Sequence, residues 1–333
     1  QLQDAYRAAG FGAVVVRLAE QRLDRGSLRL DVVEGRLSAV QVTGVSHFDR
    51  DNVLRSLPSL RLGATPDLKA LDAELLMANE NPAKSARVVL QPGERPTAVE
   101  ALVVVEEQDP QRWEISADNS GNATTGRNRL TFSYQNANVG NTDTVLGARV
   151  SVSPTELSKV FIAGLTLRAP LYAQRVFLEG SLLSSNTRDA TNATPAGELR
   201  FSGRGTAIGA RALWTLPSLG EVKSQASIGL EARSYRNDCS LGDFGAAGCG
   251  TAAASVDVLP LTVAYQARDL GRWSAYGQWV ANTGAGRSGR VSDFEASRPG
   301  ARPGYRLVRG GVQWQGGQGQ RWSVRARLDR LNG

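Results

Sequence analysis

The sequence predicts an α+β module followed by a large antiparallel β-sheet with one apolar and one polar face. Apolar and polar residues alternate along short segments from about Trp113 onward, as expected for strands whose side chains point to opposite faces. Residues 36–108 instead follow the order strand, helix, helix, strand, strand. Connections between the later strands alternate between short and long, which is typical of a transmembrane barrel with short turns at one end.

The composition favours an outer-membrane barrel over several other classes. The chain has 333 residues, 36 of them Gly, and a formal net charge of +7. No segment approaches the roughly 18 consecutive apolar residues of a transmembrane helix. The arginines are scattered along alternating strands and form no basic patch, so we predict no nucleic-acid partner. The chain begins without a signal peptide or an initiating Met, which predicts a fragment of a longer protein.

The reactive side chains predict a protein that is not an enzyme and binds no metal or cofactor. His47 is the only histidine in the sequence, so neither a catalytic triad nor a multi-histidine metal site can form. The glycine clusters 121–126 and 284–289 lack the Lys-Ser/Thr ending of a phosphate loop. Cys239 and Cys249 lie in a segment rich in Gly, Ala and Ser between two strands, where we predict a disulfide within an outer loop.

The N-terminal region contains the end of one unit and the whole of a second. Residues 1–35 predict a helix that ends at Gly10, followed by the strands 14–18 and 27–33. In the second unit, 36–108, Asp49 and Asp67 are predicted N-caps of two helices, the second with leucines at helical spacing. The predicted strands of this second unit are 37–43, 87–90 and 99–105.

The order of these elements resembles a known protein family. Both units end in a similar motif, Val-Val-Glu-Gly at 32–35 and Val-Val-Glu-Glu at 104–107. The segments 118–121 and 125–127, at the first hairpin, are also similar to that family. The chain thus resembles, over essentially its whole length, the POTRA domains and barrel of two-partner secretion transporters. These are the TpsB-type, or haemolysin-activator, members of the outer-membrane POTRA–barrel superfamily.

The resemblance implies a division into three domains. These are the C-terminal part of a first POTRA domain (1–35), a second POTRA domain (36–108) and the N-terminal part of an outer-membrane β-barrel (109–333). The barrel would be incomplete, with about eleven of an expected sixteen antiparallel strands. The predicted strands are 112–118, 127–136, 144–152, 158–167, 175–183, 206–216, 224–235, 256–266, 273–282, 305–314 and 321–329.

Strand parity predicts which charged side chains avoid lipid. In 224–235, for example, Ile228 and Leu230 share one face while Glu231 and Arg233 share the other. A charge on the lipid face near the bilayer midplane costs roughly 2–4 kcal/mol, so the charged face is expected to point into a water-filled lumen. The predicted lumen-lining residues are Arg129, Arg149, Arg211, Glu231, Arg233, Arg325 and Arg327. The solvated face of a soluble β-protein is the alternative interpretation.

The resemblance implies a transporter in the cell outer membrane, with its POTRA domains in the periplasm. It would capture an unfolded haemolysin-, haemagglutinin- or adhesin-type exoprotein, and its other expected partner is outer-membrane lipid. We expect a monomer. Client binding by strand addition is expected at the second helix and the strand after it, with candidate residues Leu68, Lys69, Asp72, Arg87 and Val89. The leucines of that helix also fit the core of the module, and we favour this interpretation for them.

Other function classes remain open on the sequence alone. A barrel insertase of the same superfamily would have a different client and usually more POTRA units. A passive porin has no need of the module at 36–108. A soluble β-rich surface protein would have a packed core where the barrel has a lipid face.

Overall fold

The computed structural model describes residues 1–21, 26, 28–123, 125–195, 197–269, 272–285, 290–316 and 322–332. The chain forms two compact units. The first consists of Gln1–Pro110, Ala137–Thr144 and Pro170–Arg175, and the second of Gln111–Asn136, Val145–Ala169 and Val176–Gly333. Among the helices in these described residues, none has both the length and the apolar character needed to cross a membrane.

The first unit begins with a helix and two paired strands. Helix α1 (Leu2–Ala9) ends at Gly10, whose φ of 106° lies in the left-handed region that glycine tolerates. The predicted end of this helix is therefore correct. Strand β1 (Val14–Leu18) pairs antiparallel with β2 (Leu30–Glu34). The start predicted for β2, Ser27, lies outside the described residues.

The rest of the first unit forms a three-stranded sheet and two helices. Asp49 accepts a hydrogen bond from the Asn52 amide (2.7 Å), and Asp67 accepts bonds from the amides of Lys69 and Ala70, so both predicted helix caps are present. The sheet order is β3-β5-β4, with β3 parallel and β4 antiparallel to the central strand. The elements are β3 (Arg36–Thr43), α2 (Arg50–Ser56), α3 (Leu68–Ala78), β4 (Lys84–Pro92) and β5 (Ala98–Glu107).

One hydrophobic core joins these helices to the sheet. Val53 of α2, Leu57 directly after α2, Leu71 of α3, and Val103 and Val105 of β5 are each at most 5% exposed and form one cluster. Alternate residues of β5 point to the same face, and the apolar faces of both helices cover that face. The interpretation that the leucines of α3 belong to the core of the module is thus confirmed for Leu71. Leu68, one turn earlier, is 39% exposed.

The second unit contains one large sheet. Within the described residues it has 12 strands, in the order β17-β16-β15-β14-β12-β11-β10-β9-β8-β7-β6, with the short β13 paired to β12. Every register described in this sheet is antiparallel. The strands are β6 (Gln111–Asp118), β7 (Arg129–Val139), β8 (Thr144–Val152), β9 (Val160–Leu171), β10 (Val176–Thr194), β11 (Gly197–Thr215), β12 (Lys223–Leu241), β13 (Val256–Val258), β14 (Pro260–Arg268), β15 (Trp273–Asn282), β16 (Arg306–Gly316) and β17 (Trp322–Asn332).

Three strands are much longer than predicted. The segment 184–205, expected to be a loop, consists mostly of the second half of β10 and the first half of β11, which pair up to Thr194 and Gly197 with one register shift between Thr187 and Ala190. Strand β12 likewise extends to Leu241, well into the expected loop 236–255. Ser, Asn, Thr, Gly and Arg dominate these stretches, so the two faces do not differ in polarity and alternation cannot reveal the strand. Backbone pairing continues nevertheless, because it does not require unlike faces.

The predicted strand 256–266 is divided in two. Pro260 has no amide hydrogen to donate to a sheet, and the preceding Leu259 amide donates to the Asn282 side chain (2.9 Å). The chain therefore leaves β13 and re-enters the sheet as β14. The long connection after β15 contains a short helix, α4 (Val291–Ser297), which packs near the β12–β13 connection.

Candidate functional site

The large sheet presents two unlike faces. Val263 on β14 lies opposite Ile228 on one neighbouring strand and Trp279 on the other. The next residue, Ala264, lies opposite Ser227 and Gln278. The same alternation holds on the other strands, so we call the two surfaces the apolar face and the polar face.

The apolar face is exposed rather than packed. Ile208 is 58% exposed, Leu230 46% and Val263 42%. A soluble β-protein buries such residues in a core, and a contiguous apolar surface of this extent marks contact with lipid or with another apolar surface. Exposed members of this face are Trp113, Ile115, Leu130, Phe132, Val150, Leu165, Leu167, Leu178, Leu182, Ile208, Trp214, Ile228, Leu230, Val263, Tyr265, Trp279, Val308, Val312, Trp314, Val324 and Leu328.

The polar face carries all seven of the predicted lumen residues. The strand registers place Arg211, Glu231, Arg233, Arg325 and Arg327 on the same face. On the first strands, the hydrogen bond from the Thr131 hydroxyl to Ser151 (3.0 Å) shows that the face of Arg129 continues as the face of Arg149.

Four further charges lie on the polar face and pair with predicted lumen residues or with each other: Arg168, Glu179, Arg309 and Asp329. Arg168 and Arg211 both contact the carboxylate of Glu179, and Arg168 does so at 3.3 Å. Asp329 contacts Arg309 at 2.8 Å and Arg327 at 2.7 Å, while Arg233 contacts Glu231. Because these pairs are partly exposed, each contributes little to stability. They keep the face hydrophilic and offset part of the positive charge of its arginines. These additional charged residues occupy the same alternate strand positions as the predicted arginines, so strand parity could have identified them.

The tripeptide 308–310 lies inside a regular strand. Val308-Arg309-Gly310 belongs to β16, where Arg309 lies opposite Asp329 of β17 and Gly310 opposite Leu328. Arg309 therefore takes part in the charge pairs of the polar face. Strand periodicity alone accounts for this tripeptide.

The predicted client-binding residues lie on two elements of the first unit. Lys69 and Asp72 are exposed on α3, while Arg87 and Val89 are exposed on β4. Arg87 makes an exposed ion pair with Glu106 on β5 (3.4 Å). In the sheet of the described module, β4 pairs with β5 only, so one of its edges is not part of the ladder. A strand edge of this kind presents backbone donors and acceptors to another chain.

A buried ion pair lies in the first unit, and sequence reasoning did not find it. The Lys84 ammonium donates to both carboxylate oxygens of Asp143 (2.8 and 2.7 Å) and to Asn52 Oδ1 (2.8 Å). The Tyr172 hydroxyl also donates to Asp143 (2.6 Å). The Lys84 and Asp143 side chains are 0% and 2% exposed. All three ammonium protons thus have acceptors, which is the condition for burying such a charge.

The surroundings of this cluster shift two pKa values. Burial lowers the pKa of the Lys84 ammonium, and Asp143 opposes that shift. Burial also raises the pKa of the Tyr172 phenol, and the Asp143 charge adds to the effect. Asp143 lies in the turn between β7 and β8, and Tyr172 in the turn after β9. Both turns are distant from Lys84 in sequence but belong to the same unit.

A second carboxylate fixes the loop before α2. Glu107 accepts hydrogen bonds from the backbone amides of Ser46 (2.9 Å), His47 (2.7 Å) and Phe48 (3.3 Å). Burial alone would raise the pKa of Glu107, but these hydrogen bonds lower it overall. His47 contributes its backbone amide to this arrangement.

Cys239 and Cys249 are joined by a disulfide bond, and Cys239 lies near the end of β12 and not in a loop as predicted. The bond holds a 3-10 segment (Ala246–Ala253) near that strand, together with a hydrogen bond from Asn237 Nδ2 to the Ala254 carbonyl (2.9 Å). Across the described residues, no group of three or more His, Cys, Asp or Glu side chains is placed to hold a metal ion.

No family model and no curated protein matches the chain by sequence. Solved structures do match. CdiB from Escherichia coli has a TM-score of 0.80 at 17% identity, over 98% of this chain and 60% of that one. CdiB from Acinetobacter baumannii gives 0.70 at 16% identity, over 98% and 59%. BamA from Haemophilus ducreyi lacking POTRA domains 1–3 gives 0.50 at 10% identity, over 97% and 61%.

The chain spans about three fifths of the length of these structures. The matches cover nearly all of this chain, so they include both the α/β elements and the large sheet. CdiB and BamA belong to the Omp85 superfamily of strand-rich outer-membrane proteins. The chain therefore has the fold that CdiB and BamA share.

Proposed function

We propose that this protein is an outer-membrane transporter of the two-partner secretion type. It recognises an unfolded exoprotein through periplasmic POTRA domains and passes that chain through the lumen of a β-barrel. The likeness to CdiB, a TpsB transporter, over 98% of the chain supports this proposal. The sheet would form part of the barrel wall, and the module 36–108 would be the POTRA domain next to it.

The two-faced sheet is the observation that carries the proposal. An exposed apolar face suits contact with lipid, where a charged side chain would cost roughly 2–4 kcal/mol near the midplane. The paired charges of the opposite face suit a water-filled path. The carboxylates of Glu179, Glu231 and Asp329 offset part of the charge of the more numerous arginines, so the path would be hydrated and positively charged. Folding of the client outside the cell would drive transport, since nothing in the sequence indicates a nucleotide site.

Client capture is assigned to the edge of β4 and the adjoining face of α3. An extended segment that adds to a sheet edge gains main-chain hydrogen bonds, and side chains along the edge supply selectivity. Arg87 and Val89 are exposed on β4, and Leu68, Lys69 and Asp72 are exposed on α3. We propose these five side chains as client contacts. The client is an exoprotein of the haemolysin, haemagglutinin or adhesin type, and the transporter acts as a monomer.

A barrel insertase is the second candidate, favoured by the likeness to BamA. Deletion of the gene in the producing organism separates the two. We expect the transporter's exoprotein to disappear from the medium, while the other outer-membrane proteins keep their normal amounts. General depletion of outer-membrane barrels would instead identify an insertase. Recovery of the protein in a soluble fraction would refute both functions.

A further inference from the structure

Backbone groups along β4 point alternately toward β5 and away from it. The Gln108 amide donates to the Ala83 carbonyl (2.9 Å), and the Gly93 amide donates to the Ala98 carbonyl (2.9 Å). These bonds fix the odd-numbered residues of β4 as the ones bonded to β5, because hydrogen-bonded and non-bonded pairs alternate in an antiparallel ladder. The N–H and C=O groups of Ala86, Val88 and Leu90 therefore point to the free edge.

A side chain already occupies the first of these positions. Asn79 Nδ2 donates to the Ala86 carbonyl (3.0 Å), and the Ala86 amide donates to Asn79 Oδ1 (2.6 Å). Asn79 ends α3, and its own backbone amide donates to Leu75 O (2.9 Å), so its side chain is held in place. The primary amide thus bonds Ala86 as a peptide group of a neighbouring strand would.

The other end of the edge is closed by the chain itself. Pro92 is the next residue that faces outward, and it has no amide hydrogen. Between Asn79 and Pro92, the outward groups are the N–H and C=O of Val88 and Leu90. Val88 and Leu90 are half-buried, whereas Arg87 and Val89 are exposed on the opposite face of the strand.

We propose that Asn79 is a positioning residue that sets the register in which an extended polypeptide segment pairs with β4. The proposal rests on the client-binding edge of the proposed function. The occupant is an extended peptide, because only a peptide backbone supplies a donor and an acceptor at the two-residue spacing of Val88 and Leu90. The Asn79 amide already satisfies Ala86 in the same way. Apolar side chains of the segment lie on the face of Val88 and Leu90, and polar ones lie beside Arg87.

The test uses the purified full chain and a fluorescent synthetic peptide of alternating valine and threonine. The fluorescence reports binding of the peptide, and hydrogen exchange is then measured with and without the peptide. In free protein, Asn79→Ala should speed exchange of the Ala86 amide at least about tenfold, because that amide loses its acceptor. With peptide bound, the wild type should gain protection at Val88 and Leu90 only. In the Asn79→Ala variant, the added protection should extend to Ala86.

Two variants of one residue test the edge itself. Val88→Pro removes the outward amide hydrogen without touching the bonds to β5, whereas Val88→Ala keeps that hydrogen. We expect at least a tenfold loss of peptide affinity for Val88→Pro and less than a threefold loss for Val88→Ala. Equal losses in both variants would overturn strand pairing at this edge.

The possible failures are distinguishable. Protection confined to Val88 and Leu90 in both the wild type and Asn79→Ala would overturn the register role of Asn79 and leave the client site intact. A peptide that protects none of these amides in the wild type would overturn the client-binding edge, and with it this inference. Loss of secretion in the gene deletion would still stand on its own as evidence for transport.

Discussion

Replacing Lys84 with Met should destabilise the first unit strongly. The change leaves the Asp143 carboxylate, which is 2% exposed, without its cation, and removes the donor to Asn52. Breaking one side of a fully buried ion pair costs about 3–5 kcal/mol, because the remaining charge stays desolvated. The unfolding equilibrium of the unit should therefore shift by roughly 100- to 5,000-fold.

Asp143→Asn should have a similar effect, since it leaves the Lys84 ammonium buried without its counter-charge. The double variant, Lys84→Met with Asp143→Asn, should lose much less than the sum of the two single changes. Tyr172→Phe removes one hydrogen bond to a charged group and should cost about 1.5–3 kcal/mol. Lys69→Met, at an exposed position of α3, is the matched control and should change stability by less than about 0.5 kcal/mol.

Native-state hydrogen exchange of the β5 amides measures the free energy of opening this unit in the full chain. The full chain is required because Asp143 and Tyr172 come from turns beyond residue 110. A loss below about 1 kcal/mol in both single variants would refute the claim that each buried charge depends on its partner. Strict additivity in the double variant would refute direct coupling between Lys84 and Asp143.

Three further predictions concern other parts of the chain. Val263→Arg on the apolar face should lower the stability of the protein in phosphatidylcholine vesicles by roughly 2–4 kcal/mol, as measured by urea titration. Ala264→Arg, on the polar face, is the control and should not lower it. Equal effects of the two variants would contradict a lipid-facing apolar face. Glu107→Gln should cost about 1–2 kcal/mol at pH 7. Because the folded-state pKa of Glu107 is lowered from 4.5, this difference should fade as pH falls below that value, and an undiminished difference in acid would refute it. Cys239→Ser should speed proteolysis within 242–255 and leave residues 223–235 of β12 protected. Unchanged cleavage would show that the disulfide bond does not restrain the segment 242–255.

Features set by neighbouring residues were predicted well. Asp49 and Asp67 cap helices two or three residues later, and Gly10 ends a helix through its own backbone freedom. Strand parity also depends only on adjacent residues, so it assigned arginines such as Arg211 and Arg233 to a common face.

Features that depend on distant residues were missed. Lys84 and Asp143 are 59 positions apart, and nothing near either residue indicates its partner. Glu107 likewise binds a loop some 60 positions earlier. The second half of β10 and the first half of β11 were not predicted, for a different reason. Both of their faces are polar, so the pattern that reveals a strand is absent although the backbone ladder continues.

The buried Lys84 cluster makes the α/β module dependent on chain that follows it. The module's sequence ends near residue 108, yet the acceptor and donor that complete its interior, Asp143 and Tyr172, are contributed from turns that come later. A module excised at that point would lose the Asp143 carboxylate and leave the Lys84 ammonium without this partner. Grafting it onto another chain would preserve this arrangement only if the recipient's turns supplied an equivalent carboxylate. During synthesis, too, the module could reach its final stability only after those turns had emerged.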